Sequence, residues 1–302
     1  MLRLGSRGSP LALAQAHMTR TALCSAHGWA EDAVDIVIIK TTGDRVQDRA
    51  LAEIGGKALW TKELDRALLE GEIDCAVHSM KDVETLRPAS IALVAMLPRA
   101  DVRDRLIGAE SIAALKAGAR IGTSSPRRAA QLKAERPDLE TALLRGNVDT
   151  RLARVADGTV DATLLAAAGL DRLGRGDVGA AIDTDVMLPA PAQGAVGIEC
   201  RADDAATRER LAAIADAPTM ACVLAERALL AGLGADCHSP VAALAVIEDG
   251  ALRLRAQLYA GDGSESVAGE ARGAIGDTGF AGALAADLLA RAPAAVRALF
   301  GG

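Results

Sequence analysis

Short apolar runs alternate with stretches of helical apolar spacing through roughly the first two-thirds of the chain. "LRLGS" (2–6) reads as a strand. Ser9 then suits the N-cap and Pro10 the first position of a helix that ends near Gly28. "AVDIVIIK" (33–40) reads as a buried strand, and "KALWTKELDRALLEG" (57–71) has helical spacing that stops at Gly71. "IDCAV" (73–77) is a further strand, followed by "HSMKDV". This rhythm predicts an α/β fold with mostly parallel sheets and helices on both faces.

The rhythm restarts after about residue 98. "RIGTS" (120–124), "TALLR" (141–145) and "VDATLLAA" (160–167) read as strands, and "PRRAAQLKAER" (126–136) and "NVDTRLARVADG" (147–158) as helices. Two comparable lobes follow from this repetition. "MLPAPAQG" (187–194) breaks the pattern, and "AVGIEC" (195–200) supplies one more apolar strand. From about 218 the character changes. A helix over "TMACVLAERALLAG" precedes two strands joined at Asp249-Gly250, a hairpin signal, and a closing helix over "GFAGALAADLLARA". These elements predict a third, smaller α+β domain, with Cys237 in the loop before its first strand.

Composition narrows the classes. The chain has 302 residues, which suits two or three domains, and only 2% aromatics, so its core is built of Leu, Val, Ile and Ala. A net charge of −6 argues against a nucleic-acid or anionic-membrane surface, and no stretch is apolar enough to span a bilayer. The N-terminus has no signal-peptide pattern, so the expectation is a soluble cytoplasmic protein. Five widely spaced cysteines without C-x-x-C argue against a disulfide scaffold. Four histidines in no ligand pattern argue against a zinc site, and no metal is expected. No P-loop and no G-x-G-x-x-G opening a helix is present.

Basic clusters stand out against the acidic background. "GTSSPRR" (122–128) follows a strand and opens a helix, with Ser125 at the N-cap and Pro126 at the first helical position. Free N–H groups there, the hydroxyls of Thr123, Ser124 and Ser125, and the guanidiniums of Arg127 and Arg128 favour a carboxylate or phosphate. The plain alternative is a capped helix with two solvated arginines. Arg145 and Arg151 in "LRGNVDTRL", and Arg172 after the next strand, fall at the same carboxyl edge of the sheet, where open α/β sheets bind ligands. Three such sites in one lobe favour a ligand with several negative charges.

In the first lobe, Arg7 and "VHSMKDV" (77–83) stand at strand ends. Lys81 suits an anion. Asp82 does not, and points instead to stabilising a positive charge or moving a proton; the plain alternative is a solvated Lys-Asp pair. Gly55-Gly56 with Lys57 and Trp60 reads as a lid or as a simple turn. Cys237 stands between Asp236 and His238. Neighbouring side chains in extended chain point to opposite sides, which makes Cys237 and His238 a poor catalytic dyad.

"SRGSPLALAQA", "GGKALWTKEL", "AVHSMKD", "GTSSPRR", "LRGNVDTRL", "PAQGAVGIECR" and the Cys237 loop occur in an order that resembles the porphobilinogen deaminases, also called hydroxymethylbilane synthases, over essentially the whole chain. The resemblance implies two doubly wound lobes like those of bilobal periplasmic binding proteins, over 1–97 with 195–212 and over 98–194, and a small α+β domain over 217–302. It implies a dipyrromethane cofactor held by Cys237 through a thioether, and four head-to-tail condensations of porphobilinogen with release of ammonia. The linear hydroxymethylbilane is then freed by hydrolysis, on the path to haem and other tetrapyrroles. It assigns Asp82 as the catalytic carboxylate and Lys81, Thr123, Ser125, Arg127 and Arg128 as cofactor binders. It assigns Arg7, Ser9, Arg145, Arg151, Arg172 and Gln193 to substrate or the growing chain, and Lys57 and Trp60 to the lid and cleft wall. A monomer is expected.

Residue chemistry agrees with that assignment. Each pyrrole unit carries an acetate and a propionate, so the growing chain is a polyanion. Loss of ammonia makes a cationic azafulvene, which gives an aspartate amid arginines a task. Departures from the family pattern are Ala235-Asp236 in place of two glycines before the cysteine, Pro126 for leucine, Glu53 where a lysine is frequent, and Trp60 for phenylalanine. Asp236 bears on the loop's geometry and on the ionisation of the thiol. A non-catalytic bilobal anion-binding protein is the competing reading. It would require neither the third domain, nor Cys237, nor Asp82.

Overall fold

A computed structural model describes residues 1–40 and 61–300. Lys57, Trp60 and Glu53 lie outside the described residues. The described chain forms two compact units, residues 1–40 with 61–100 and 194–220, and residues 101–193 with 221–300.

The chain begins with β1 (Leu2–Ser6), α1 (Pro10–His27), β2 (Val34–Ile38), α2 (Lys62–Leu69), β3 (Cys75–Ser79) and β4 (Ile91–Met96). It continues through β5 (Asp104–Ile107), β6 (Arg120–Gly122), α3 (Pro126–Glu135), β7 (Glu140–Ala142), α4 (Val148–Ala156), β8 (Ala162–Ala166), α5 (Ala167–Arg172) and β9 (Ala180–Ala181). It then contributes β10 (Val196–Arg201) and α6 (Ala205–Ala212) to the first unit. The last stretch is α7 (Ala217–Leu233), β11 (Val241–Glu248), β12 (Ala251–Tyr259), β13 (Ser266–Ala274), α8 (Gly279–Arg291) and α9 (Ala294–Arg297).

The two lobe sheets share one plan. The first has the order β2-β1-β3-β10-β4 and the second β7-β6-β8-β5-β9. In each, three strands run parallel, and a strand supplied by a separate pass of the chain inserts antiparallel beside the third. That strand is β10 in the first sheet and β5 in the second. Four of the five strands in each sheet thus share one direction, as the mostly parallel sheets of the sequence rhythm require, and only the inserted strand runs against them. Parallel neighbours need a crossover helix, but a strand arriving from elsewhere is free to run either way. The "AVDIVIIK" strand is less buried than its composition suggests. It is the edge strand β2, and Ile38 is 54% exposed.

Each sheet has its own apolar cluster. Leu4, Leu23, Val77 and Ile198 anchor the first, and Leu106, Ile121, Leu132 and Leu164 the second. In the C-terminal domain the antiparallel sheet β11-β12-β13 packs Leu252, Leu254 and Leu258 against Leu229 of α7 and Leu284 and Leu288 of α8. The predicted hairpin turn forms as expected, with Asp249 and Gly250 both at positive φ (52° and 76°). Strand β13 carries no apolar run, because its inward positions after Val267 are Gly269, Ala271 and Gly273.

Helix starts follow the capping chemistry of the sequence. Ser9 Oγ accepts the Ala12 N–H, Ser125 Oγ accepts the Arg128 N–H, and Asn147 Oδ1 accepts the Thr150 N–H. These caps set where the backbone leaves each strand, and so which side chains stand at the carboxyl edge of each sheet.

Candidate active site

In the first unit, the ends of β1 and β3 and the first turn of α1 enclose a pocket lined by Arg7, Ser9, Gln15, His78, Ser79 and Asp82. Asp82 and Lys81 lie in a single 3-10 turn, Met80–Asp82, that continues β3. This turn is tied to the returning strand's approach by the Met80 N–H, which donates to the Ala195 carbonyl at 3.1 Å. Lys81 and Asp82 are each half-buried. Gln15 Nε2 donates to Ser79 Oγ at 2.7 Å, fixing α1 to the end of β3. The Ser9 oxygen accepts the helix N–H, which leaves its own hydroxyl proton to donate.

Behind this pocket lies a buried charge network that the sequence did not reveal. His78 Nε2 is 3.2 Å from Glu199 Oε2, and Glu199 is fully buried. Arg87 grips Glu199 through Nε (2.9 Å) and Nη2 (2.7 Å), and also binds Asp65 and Glu84. Burial alone would raise the Glu199 carboxyl, but the adjacent His78 imidazole and the Arg87 guanidinium hold it at about 2. His78 thus has a structural partner and also faces the pocket.

In the second unit, Arg127 and Arg128 open α3 and turn inward, 3% and 7% exposed. Two solvated arginines are therefore not what forms. Arg127 Nη2 donates to Asp104 Oδ2 at 2.7 Å, and Arg128 Nη2 to Asp104 Oδ1 at 2.7 Å. Gln193 Nε2 donates to the same Asp104 Oδ1 at 2.9 Å and to the Val102 carbonyl at 2.8 Å. Burial raises the Asp104 carboxyl, but the two guanidiniums outweigh it and hold it far below the usual range. The buried Arg127 Nε–H has no hydrogen-bond partner among the described residues. Such an atom is costly unless something else receives its proton.

Of the remaining sequence candidates, Thr123, Arg145 and Arg151 stand in or just beyond the turns that follow β6 and β7, and Cys237 stands in the loop before β11. Thr123 Oγ1 accepts the Ser125 N–H at 3.1 Å, shaping the turn into α3. Strand β7 ends at Ala142, so Arg145 lies in the turn beyond it. Arg151 Nε donates to the Gly146 carbonyl at 3.0 Å. Arg172 closes α5, and burial lowers its pKa. Cys237 is exposed and in no disulfide, in a loop where Asp236 Oδ1 accepts the His238 N–H at 2.8 Å.

Asp104, Glu199 and Glu226, whose carboxylate accepts the Ala192 N–H beside Gln193, are the site's neighbours that sequence reading missed. Asp104 left a trace: it stands two residues before Leu106 in a strand, so both side chains share the buried face. Glu226 left none, since one glutamate inside an apolar helix reads as a solvated position.

Residues 2–209 match the family described as "Porphobilinogen deaminase, dipyromethane cofactor binding domain", and residues 220–290 match "Porphobilinogen deaminase, C-terminal domain". A porphobilinogen deaminase of Sphingopyxis alaskensis is 62% identical, over 99% of this chain and 96% of the relative. One of Paracoccus denitrificans is 53% identical, over 97% and 95%. Similar solved structures include a substrate binding domain of a putative amino acid ABC transporter from Streptococcus pneumoniae (12% identical, 70% of this chain and 90% of that one, TM-score 0.45). An arginine-specific periplasmic binding protein of Salmonella typhimurium is 11% identical, over 75% and 96%, with TM-score 0.42. The class is thus a transferase of tetrapyrrole biosynthesis that works with a covalently held dipyrromethane. The chain belongs to the porphobilinogen deaminase family.

Proposed function

We propose that this chain performs the family's reaction, the head-to-tail condensation of four porphobilinogen molecules and release of hydroxymethylbilane, with Asp82 as catalytic carboxylate and Cys237 as covalent anchor. The observation that carries this reading is the pocket holding Arg7, Ser9 and Asp82 together, one carboxylate beside a cation and a hydroxyl donor at a strand end.

The residues fit the cofactor. The exposed Cys237 thiol suits an anchor, and the buried unpartnered Arg127 Nε–H suits a carboxylate acceptor. When bound, dipyrromethane supplies the terminal pyrrole carbon to which substrate is joined. Lys81, Thr123, Ser125, Arg127 and Arg128 would bind its acetate and propionate groups. Arg7, Ser9, Arg145, Arg151, Arg172 and Gln193 would receive those of the substrate and growing chain. Lys57 and Trp60, assigned to the lid and cleft wall by the resemblance, lie outside the described residues.

Asp82 acts on charge. As porphobilinogen loses ammonia, its pyrrole nitrogen becomes cationic, and a carboxylate accepting that N–H lowers the barrier. Asp82 then accepts the proton that leaves after carbon–carbon bond formation, and ammonium carries it away. At maturation the Cys237 sulfur forms its bond to the substrate-derived methylene carbon while the carbon–nitrogen bond to ammonia breaks and the thiol proton departs with it. Among the described residues no helix is long and apolar enough to cross a membrane. A cytoplasmic monomer completes the proposal.

Intact-mass measurement tests it. The wild-type chain, incubated with porphobilinogen, is expected to gain the mass of two pyrrole units, and Cys237→Ser to gain none. A wild-type chain that stays unmodified and turns over no porphobilinogen overturns the proposal, and light scattering checks the monomer.

A further inference from the structure

Consecutive residues on a helix project about 100° apart, so Arg127 and Arg128 do not meet unless something gathers them. Like charges in a buried place also repel. Asp104 resolves both problems. Its Oδ1 receives Arg128 Nη2 (2.7 Å) and Gln193 Nε2 (2.9 Å), and its Oδ2 receives Arg127 Nη2 (2.7 Å) and Arg128 Nε (3.3 Å). A carboxylate has about four acceptor sites. Asp104 is therefore saturated, and it is 1% exposed.

Each guanidinium has five N–H donors. Arg127 spends one on Asp104 and the others it uses on Gln131 Oε1 and the Leu188 carbonyl, both at 2.8 Å. Arg128 spends two on Asp104 and one on the Leu164 carbonyl at 2.9 Å. Among the described residues, two donors on each arginine stay uncommitted, the buried Arg127 Nε–H included. The cluster of one carboxylate and two guanidiniums keeps a net positive charge.

We propose that Asp104 is a positioning residue for cofactor capture: it locks Arg127 and Arg128 in one arrangement before any ligand arrives, so that their uncommitted N–H groups meet the carboxylates of the first two pyrrole units without rearrangement. This inference rests on the reading of the chain as a dipyrromethane-bearing deaminase. A pre-organised donor set binds faster and tighter because little ordering remains to be done at the moment of binding. Without the central charge, two buried cations share a place with no counter-ion and move apart.

The test is cofactor loading, which does not depend on turnover of the loaded enzyme. The full-length chain is produced in cells that make no porphobilinogen and then incubated with it. The gain of two pyrrole units is followed by intact mass, and the folded fraction by circular dichroism. Asp104→Asn is expected to load at least tenfold more slowly per folded molecule than the wild type. A purely structural role would lower the melting temperature and leave that rate unchanged, and this result overturns the proposal. If Asp104→Asn does not fold, Gln193→Met, which removes one donor from Asp104 without burying a charge, is expected to slow loading severalfold, and wild-type loading in it overturns the proposal equally. A wild-type chain that never loads would instead overturn the family assignment of Cys237, so the two failures are distinguishable.

Discussion

Arg87 and Glu199 form a two-pronged ion pair inside the first lobe, Nε to Oε1 at 2.9 Å and Nη2 to Oε2 at 2.7 Å, with His78 Nε2 3.2 Å from the same Oε2. Arg87 is shared with Asp65 and Glu84, so one cation serves three carboxylates. The carboxylates are not equivalent. Glu199 is held at about 2, below its ordinary 4.5. Burial instead raises Asp65, and Arg87 only partly offsets this.

Removing the Glu199 charge leaves Arg87 and His78 short of their central partner. Glu199→Gln is expected to cost about 3–5 kcal/mol, the usual penalty for breaking a buried pair from one side. Asp65→Asn is expected to cost clearly less, because the Asp65 charge is already disfavoured by burial. The pH dependence follows the same logic. Glu199 has a folded-state pKa below its unfolded one, so its contribution is complete above about pH 4.5 and is lost as pH falls towards 2. Asp104, also lowered, adds to acid sensitivity in the same direction, while Asp65, raised, subtracts from it. Denaturant titrations between pH 2 and 7 are expected to show the loss in the wild type, and a flatter profile in Glu199→Gln.

Gly197 in β10 lies directly against Met80, the residue before Lys81 and Asp82. A Cβ at Gly197 would stand 2.1 Å from Met80 Sδ and 2.8 Å from its Cγ. Met80 is 1% exposed and has little room to yield. Gly197→Ala is expected to destabilise by about 1–3 kcal/mol, as overpacking does, and to push the Met80–Asp82 turn out of place. A fall in porphobilinogen turnover larger than the loss of folded protein, in variant and wild type compared at one temperature, is the expected result.

How far the sequence carried this picture depends on what each residue's neighbours are. Ser9, Ser125 and Asn147 were legible as caps because a cap bonds to N–H groups two or three residues away. Asp249-Gly250 was legible because a two-residue turn has few solutions. Strand β13 was not, because Gly269, Ala271 and Gly273 fit a crowded face by being small rather than apolar. Glu199 and Asp104 were not, because their partners lie 112, 23 and 24 positions away. The basic residues of "GTSSPRR" were recognised as a site, but the acid that organises them sits on a strand whose direction and place in the sheet only the fold supplies.

Glu226 holds the turn that aims Gln193. Its Oε2 accepts the Ala192 N–H at 2.5 Å and its Oε1 accepts the Ala245 N–H at 2.7 Å, all within a fully buried setting. Ala192 sits at φ 63°, a left-handed conformation that costs a non-glycine residue about 1–2 kcal/mol. The bond from Glu226 offsets that cost. Glu226→Gln presents an amide N–H to one of two N–H donors, so it is expected to destabilise by about 1–3 kcal/mol. Ala192→Gly in the same background removes the strain and is expected to restore part of the melting temperature. No recovery in the double variant would show that the strain is not what Glu226 restrains.

Asp82 separates chemistry from assembly. It lies in the first unit, whereas Asp104, Arg127, Arg128 and Cys237 belong to the second. Asp82→Asn keeps the size of the side chain and can still accept a hydrogen bond, but it has no charge to set against a cationic pyrrole and no basic oxygen for its proton. Turnover is expected to fall about 10²–10⁴-fold, the usual span for a lost acid–base group, with KM changed far less than kcat. Cofactor already attached at Cys237 should remain, visible as the two-pyrrole mass. Asp82→Glu, which restores the charge one methylene further out, is expected to recover part of the rate. Turnover within twofold of wild type in a loaded Asp82→Asn chain would remove Asp82 from the reaction and leave the His78 imidazole as the pocket's other candidate to carry the proton.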